Sequence, residues 1–385
     1  MTNKFIRPDI ANMEPYTPIV PFEVLSRRLG RPSTEIIKLD ANENPYGTSP
    51  KALAALANLL YVHIYPDPEA TPLREALSAV TAVPQERLLV GAGADELIDL
   101  VFRAVLSPGD SVVDCPPSFG MYPFSTAVNA GHYIPIRRKA DFRLDVAAIE
   151  RTVREQRPKL LVICSPNNPD GSVIDDDSLR RLLALPVLVV LDEAYVDFAG
   201  DINRKGREDR KGKEKNLAPA APFAVGHLNW VMEYDNLVLL RTFSKLAGLA
   251  GLRVGYGAFP DWLLPHLWKI KQPYNINAAA MAAAVAALDD LAWLHEKARL
   301  IVAERERLGK MLAEVDWLRP YPSQANFILC RVDGRDAAHL KLALEQRGIL
   351  VRYFNKPGLD DCIRISVGRP SDTDILLKAL REIGD

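Results

Sequence analysis

The sequence predicts an α/β protein with a mostly parallel, buried sheet and a smaller α+β unit at its C-terminal end. Two observations predict it. Between about residues 86 and 258, short apolar runs of strand length alternate with longer stretches of helical periodicity, the order of a parallel sheet covered on both faces. After Ala278 a long alanine-rich helical region leads into shorter strands and helices with a different rhythm. The chain of 385 residues, 48% hydrophobic and 25% charged, has room for two domains and a sizeable core.

The elements follow in order. Residues 1–35 form a proline-rich arm (Pro8, Pro15, Pro18, Pro21, Pro32) with helical character only from Val20 to Leu29. Such an arm is stable only where it packs on its own domain or on a partner subunit. Ile36 to Leu39 reads as a strand that enters the turn Asp40-Ala41-Asn42-Glu43-Asn44-Pro45-Tyr46-Gly47, dense in side-chain acceptors. Lys51 to Leu60 is helical, Tyr65-Pro66-Asp67-Pro68 is a loop, and Thr71 caps a helix with Pro72 at its first position. Strand Leu88–Val90 precedes helix Asp95–Leu106, strand Ser111–Asp114 precedes a helical stretch Pro117–Ala127, and strand Leu160–Ile163 precedes helix Asp176–Leu185. Val187–Leu191, Leu237–Leu240 and Arg253–Ala258 are further strands. Ala278 to Val315 is helical with one break near Asp289-Asp290. Strand Ala325–Val332, helix Asp336–Arg347, strands Ile349–Tyr353 and Asp361–Gly368, and a helix from Ser371 complete the chain. The domains expected are 1–40 (the arm and part of the smaller domain), 41–277 and 278–385.

The totals exclude several classes of function. A net charge of -1 gives no global attraction to nucleic acid or an anionic membrane. Cys115, Cys164, Cys330 and Cys362 are widely separated, without metal-binding spacing, and read as buried reduced thiols. No signal-peptide core or membrane-length apolar run occurs, so a cytoplasmic compartment is expected. Eleven of the fifteen residues from Asp201 to Lys215 are charged, seven basic and four acidic, and an alanine- and proline-rich stretch follows to Pro222. This reads as a solvated surface insertion.

The chemistry gathers at strand ends, where ligands collect in such sheets. Gly91-Ala92-Gly93-Ala94-Asp95-Glu96 joins a strand to a helix and leaves backbone N–H groups to meet an anion. Glu96 stands where a dinucleotide fingerprint needs its third glycine. Cys164-Ser165-Pro166-Asn167-Asn168-Pro169-Asp170-Gly171 presents two amides at another strand end. Asp192 ends an apolar run, where a carboxylate calls for a positive partner, and Tyr195 follows three residues later. Thr242-Phe243-Ser244-Lys245 ends the next strand, with Arg253 beyond it. A lysine there can snorkel to water or, desolvated, act as a neutral amine toward carbonyls. Arg364, in Ile363-Arg364-Ile365-Ser366, is a planar fork suited to a carboxylate or phosphate. One explanation unites an amine, a phosphate cup, a carboxylate for a ring nitrogen, and a phenol with an amide for a ring oxygen: a pyridoxal 5'-phosphate site.

The same segments, in order from Glu14-Pro15-Tyr16 to the last helix, resemble the fold-type-I aminotransferases of the aspartate aminotransferase superfamily, and among them the histidinol-phosphate branch. The motifs are Leu39-Asp40-Ala41-Asn42-Glu43-Asn44-Pro45, Tyr65-Pro66-Asp67, Gly91-Ala92-Gly93-Ala94-Asp95-Glu96, Ser165 to Gly171, Asp192 to Tyr195, and Arg241 to Lys245 through Gly251-Leu252-Arg253. The resemblance implies a large domain with a mostly parallel seven-stranded sheet, and transamination between histidinol phosphate and 2-oxoglutarate or glutamate in histidine biosynthesis. An aromatic amino acid aminotransferase and an amino acid phosphate decarboxylase are alternatives on the same scaffold. Lys245 would be the Schiff-base lysine and proton shuttle, and Asp192 would pair with the ring nitrogen. Asn168 and Tyr195 would bond the ring oxygen and, with Arg253, set the basicity of Lys245. The backbone of Ala94 and Asp95, with Thr242, Ser244 and Arg253, would hold the phosphate. Tyr65 would reach that phosphate from a neighbouring subunit, making a homodimer. Arg364 would take the substrate carboxylate, Arg352 and Tyr16 the distal end, and Asn42 would line the cleft. Phe119 stands where relatives often carry a stacking tyrosine, and Asp170 where they carry threonine.

Overall fold

Runs such as Leu160–Cys164, Leu188–Asp192 and Leu237–Thr242 are buried along their whole length, which demands cover on both faces. The computed structural model, which describes residues 5–13, 15, 20–199 and 226–384, supplies it. The strands among the described residues are β1 (Ile37–Leu39), β2 (Leu88–Gly91), β3 (Ser111–Asp114), β4 (His132–Pro135), β5 (Leu160–Cys164), β6 (Leu188–Asp192), β7 (Leu237–Thr242), β8 (Gly255–Ala258), β9 (Leu318–Pro320), β10 (Phe327–Val332), β11 (Ile349–Tyr353) and β12 (Cys362–Ser366). Seven of them form one sheet in the order β2-β8-β7-β6-β5-β3-β4. Only β8 runs against the rest, pairing antiparallel with both β2 and β7. Alternation along the strands divides the core. Leu161, Ile163, Val189, Leu191, Leu237 and Leu239 pack on one face, and Val162, Cys164, Val190, Val238 and Leu240 on the other.

A second sheet has the order β1-β11-β12-β10-β9. Its first strand comes from near the N-terminus and pairs in parallel with β11, Ile37 opposite Ile349. Immediately after β1 the chain enters the Asp40–Gly47 turn, which links this sheet to the first helix of the larger one. The helices Ala278–Leu288 and Leu291–Ala313 meet at a bend of 83°, at the break expected near Asp289-Asp290.

The differences from expectation have local causes. β4 and β9 give no clear apolar signal. β4 is an edge strand with only Ile134 buried, and β9 has three residues, among them Arg319 and Pro320. Helix Val146–Gln156 was also not anticipated. The helix expected from Pro117 begins at Met121, because Ser118 Oγ donates to Asp114 Oδ2 at 2.6 Å and holds the preceding segment as a loop. Strand β8 starts at Gly255 rather than Arg253, whose φ of 54° is incompatible with a strand. The charged insertion, from Asp201 to Pro222, lies outside the described residues.

One face of the larger sheet carries a buried ionic cluster beside the strand ends. Arg241 donates through Nε and Nη2 to Glu193 Oε2 at 3.1 and 2.6 Å. His227 bridges Glu193 Oε1 at 2.8 Å and Asp176 Oδ1 at 3.1 Å. Burial opposes the imidazolium, but the carboxylates of Asp176 and Glu193 outweigh it and push His227 up to about 9. The stabilisation from His227 is therefore complete below its unfolded value of about 6.5 and is lost as pH rises through about 9. Urea midpoints measured between pH 6.5 and 9.5 should fall with pH, and His227→Gln should flatten that slope. Glu193→Ala, which removes the acceptor of both Arg241 Nε and Nη2 and the partner of His227 Nδ1, should cost about 3–5 kcal/mol in the same titration at pH 7.

Candidate active site

Strands β5, β6 and β7 lie side by side in parallel, with Cys164 opposite Asp192 and Asp192 opposite Leu240. Their carboxyl ends therefore open at one edge, and the loops that follow deliver Asn168, Tyr195 and Lys245 to a common cavity of about 250 Å³. Its wall includes Ala41, Glu43, Ala94, Asp95, Phe119, Asn168, Asp192, Tyr195, Thr242, Ser244, Lys245 and Arg253.

Lys245 is half-buried at the residue level, but its amine lies deep. Nζ donates to the Ala41 carbonyl at 3.2 Å and sits 5.4 Å from the centre of the Tyr195 ring. Burial pushes the amine down to about 8; Arg364 adds to this, Glu43 and Asp95 oppose it, and Arg253 contributes least. Among the cationic groups around this amine, Arg364 has a larger effect than Arg253. A substantial neutral fraction at mild pH is the condition for attack on a carbonyl carbon.

Asp192 is 4% exposed. It accepts from Tyr122 Oη at 2.8 Å and from the Ala194 N–H at 3.0 Å. Burial nevertheless raises its carboxyl to about 6, because neither donor carries charge. A protonated ring nitrogen against it would reverse that penalty. The sequence reading did not find Tyr122. It lies 70 residues before Asp192 on a separate helix, and only the fold joins them.

The opposite end of the cavity is an anion cradle. Gly93 adopts a φ of 80° immediately before helix Ala94–Val105, and a Cβ there would clash with Arg253 Nη2. The free N–H groups and dipole of that helix favour negative charge. Glu96 closes the turn from behind, accepting from the Ala92 N–H and from Asn275 Nδ2. Arg253 Nη2 reaches Asp95 Oδ2 at 2.8 Å and Nη1 reaches Ser244 Oγ at 3.4 Å. The Thr242 hydroxyl accepts from the Ser244 N–H at 3.0 Å. Pyridoxal 5'-phosphate fits this donor set: Ala94, Asp95, Thr242, Ser244 and Arg253 could hold its phosphate, and Asp192 its ring nitrogen.

Tyr195 keeps its phenol proton, since burial raises its pKa, and its Oη accepts from Asn42 Nδ2 at 3.1 Å. Asn168 accepts Arg364 Nη1 on its Oδ1 at 2.5 Å, leaving its amide N–H groups for the cavity. Arg364 also donates to the Asp40 carbonyl at 2.6 Å, so both of these acceptors are neutral. Arg352 stands opposite Arg364 in the β11–β12 register, so the two share a face of the smaller sheet. Phe119 lines the cavity and meets Tyr122 edge to face. Asp170 is buried, accepting from Asn167 Nδ2 and from the Ser172 N–H, and so closes the turn that carries Asn168. Tyr65 is 78% exposed, stacked on Tyr274 with ring centres 4.6 Å apart, and does not line this chain's own cavity. Tyr16 lies outside the described residues.

The model of aminotransferase class I and II matches residues 34–380. The chain belongs to the class I and II aminotransferases. It is 50% identical over 378 residues to the chloroplastic histidinol-phosphate aminotransferase of Nicotiana plumbaginifolia, covering 98% of this chain and 86% of that one. It is also 50% identical over 386 residues to the histidinol-phosphate aminotransferase of Roseiflexus castenholzii, covering 98% of each. The crystal structure of the histidinol-phosphate aminotransferase from Sinorhizobium meliloti, in complex with pyridoxal-5'-phosphate, superposes with a TM-score of 0.85 at 28% identity, covering 99% of this chain and 98% of that one.

In this aminotransferase the raised Asp192 carboxyl has a cost when nothing cationic faces it. Its folded value of about 6 lies above the unfolded value of about 3.9, so its favourable contribution is complete below the latter and is lost as pH rises through about 6. Unliganded Asp192→Asn protein should therefore melt several degrees above unliganded wild type at pH 8 in differential scanning calorimetry, and the difference should vanish near pH 4.

Proposed function

We propose that this aminotransferase moves an amino group between histidinol phosphate and 2-oxoglutarate, interconverting imidazole acetol-phosphate plus glutamate with histidinol phosphate plus 2-oxoglutarate in histidine biosynthesis. One observation carries the chemistry: a desolvated lysine amine between an anion cradle and a buried carboxylate. The relatives' names narrow the substrate.

Bound here, pyridoxal 5'-phosphate supplies an electrophilic carbonyl carbon and an electron-accepting ring. The residues of the chain do the rest. Lys245 Nζ would be the group that holds that carbon, and its free amine would be the base for the proton on the substrate Cα. Asp192 would keep the ring nitrogen protonated. Tyr195 and Asn168 would donate to the ring oxygen, and Phe119 would cover one ring face. Arg364 would receive the carboxylate of glutamate. Histidinol phosphate carries a phosphate and no carboxylate, so Arg352, on the same face and aided by Tyr16, would share its anion. Two guanidinium groups side by side suit a ping-pong reaction in which the two substrates alternate in one cavity.

In this reading the larger domain, 41–277, holds the cofactor, and the smaller, 278–385 with β1, closes over it. The active unit is a homodimer. Leu60, Tyr61, Val62, Ile64 and Tyr65 are 54–78% exposed along one short segment. A second copy of the chain would cover them and receive Tyr65 at its own phosphate cradle. The four buried free cysteines suit a reducing compartment such as the cytoplasm.

Amino-donor kinetics with purified enzyme provide the test. Histidinol phosphate should give the higher kcat/KM; a much higher value with phenylalanine would overturn the substrate assignment, and carbon dioxide release without a keto acid would overturn transamination. Lys245→Ala should abolish turnover and leave a folded protein with wild-type sedimentation.

A further inference from the structure

Glu43 stands between two asparagines that build the turn on which it sits. Asn42, at a φ of 57°, gives its backbone N–H to Ser366 Oγ at 2.9 Å, accepts from the same hydroxyl at 2.8 Å on Oδ1, and accepts from Asn326 Nδ2 at 2.9 Å on its carbonyl. Asn44 Nδ2 donates to the Leu246 carbonyl at 2.6 Å, and Asn44 Oδ1 accepts from the Tyr46 N–H at 2.9 Å. The backbone on both sides of Glu43 is thus fixed, while its own side chain takes no part in fixing it and lines the cavity.

Three carboxylates line that cavity. Asp192 is committed to Tyr122 and the Ala194 N–H, and Asp95 to Arg253. Glu43 differs from both. Its side chain is 45% exposed, and Oε2 is held at 2.7 Å by Lys38 Nζ, which does not line the cavity. Lys38 is itself shared with Asp40 at 3.1 Å. The other oxygen, Oε1, has no hydrogen-bond partner among the described residues. The arrangement holds an ionised acceptor at the open side of a site whose other charged walls suit anions and a ring nitrogen.

We propose that Glu43 is the residue that selects an imidazole ring, accepting the ring N–H of the substrate. The proposal rests on the histidinol phosphate reading above and deepens it. An imidazole offers a donor that a phenyl ring lacks, and an aromatic amino acid leaves the carboxylate without that bond. The ring N–H is not among the bonds that change. The contact is made in bound substrate and transition state alike, so its loss raises KM for histidinol phosphate alone, whereas the charge of Glu43 on the Lys245 amine acts with either substrate and cancels in the ratio between them.

The test uses Glu43→Gln and wild-type holoenzyme, checked for equal cofactor absorbance and equal circular dichroism. The ratio of kcat/KM for histidinol phosphate to that for phenylalanine should fall by about tenfold or more in the variant, carried by KM for histidinol phosphate, the size expected for a hydrogen bond to a charged group. A ratio within threefold of wild type, or a fall in the ratio with KM for histidinol phosphate unchanged, would overturn the assignment of Glu43 while leaving the proposed function intact. Wild-type enzyme inert toward histidinol phosphate would overturn both.

Discussion

The carboxylate of Asp192 is taken out of water at the end of a strand whose neighbours on both sides are themselves fully buried. Two polar hydrogen bonds hold it in place without neutralising it. The rest of the site answers that constraint. Parallel pairing brings β5 and β7 to the same edge, so that the loops after them carry an amide and an amine to within one cavity of the carboxylate. Had the three central strands alternated in direction, these groups would lie at opposite ends of the sheet. The reversed strand, β8, falls outside this trio, and its start at Gly255 follows directly on the left-handed Arg253 that closes the anion cradle.

The period of two along the strands separates structural charge from chemical charge. Asp192 and Glu193 are consecutive yet serve opposite faces: the first meets Tyr122 and the cavity, the second meets Arg241 and His227. On the far face this ion pair fixes the strand ends, and its desolvation is offset by several hydrogen bonds on the two carboxylate oxygens.

Much of this was legible in the sequence because motifs at strand ends carry their own context. Gly93, Asn168, Asp192 and Lys245 each follow an apolar run, and the run places the residue at the sheet edge. Contacts between elements distant in sequence were not legible. Tyr122 reaching Asp192, Ser366 and Asn326 gripping Asn42, and Arg364 outweighing Arg253 at Lys245 all depend on how separate segments pack. Weak elements were missed for another reason. β4 and β9 bury so little that no period stands out, and they are recruited by neighbours already in place.

The pairing of β1 with β11 ties residue 37 to residue 349, across most of the chain. During synthesis on a ribosome, the larger sheet can form while β11 is still unmade, and β1 must wait. The Asp40–Gly47 turn hangs from β1, and that turn supplies the Ala41 carbonyl to Lys245 and the Asn42 amide to Tyr195. The reactive amine therefore acquires its final surroundings only after the last strands have left the ribosome, so a truncated chain, even one with a well-formed central sheet, would lack a finished active site.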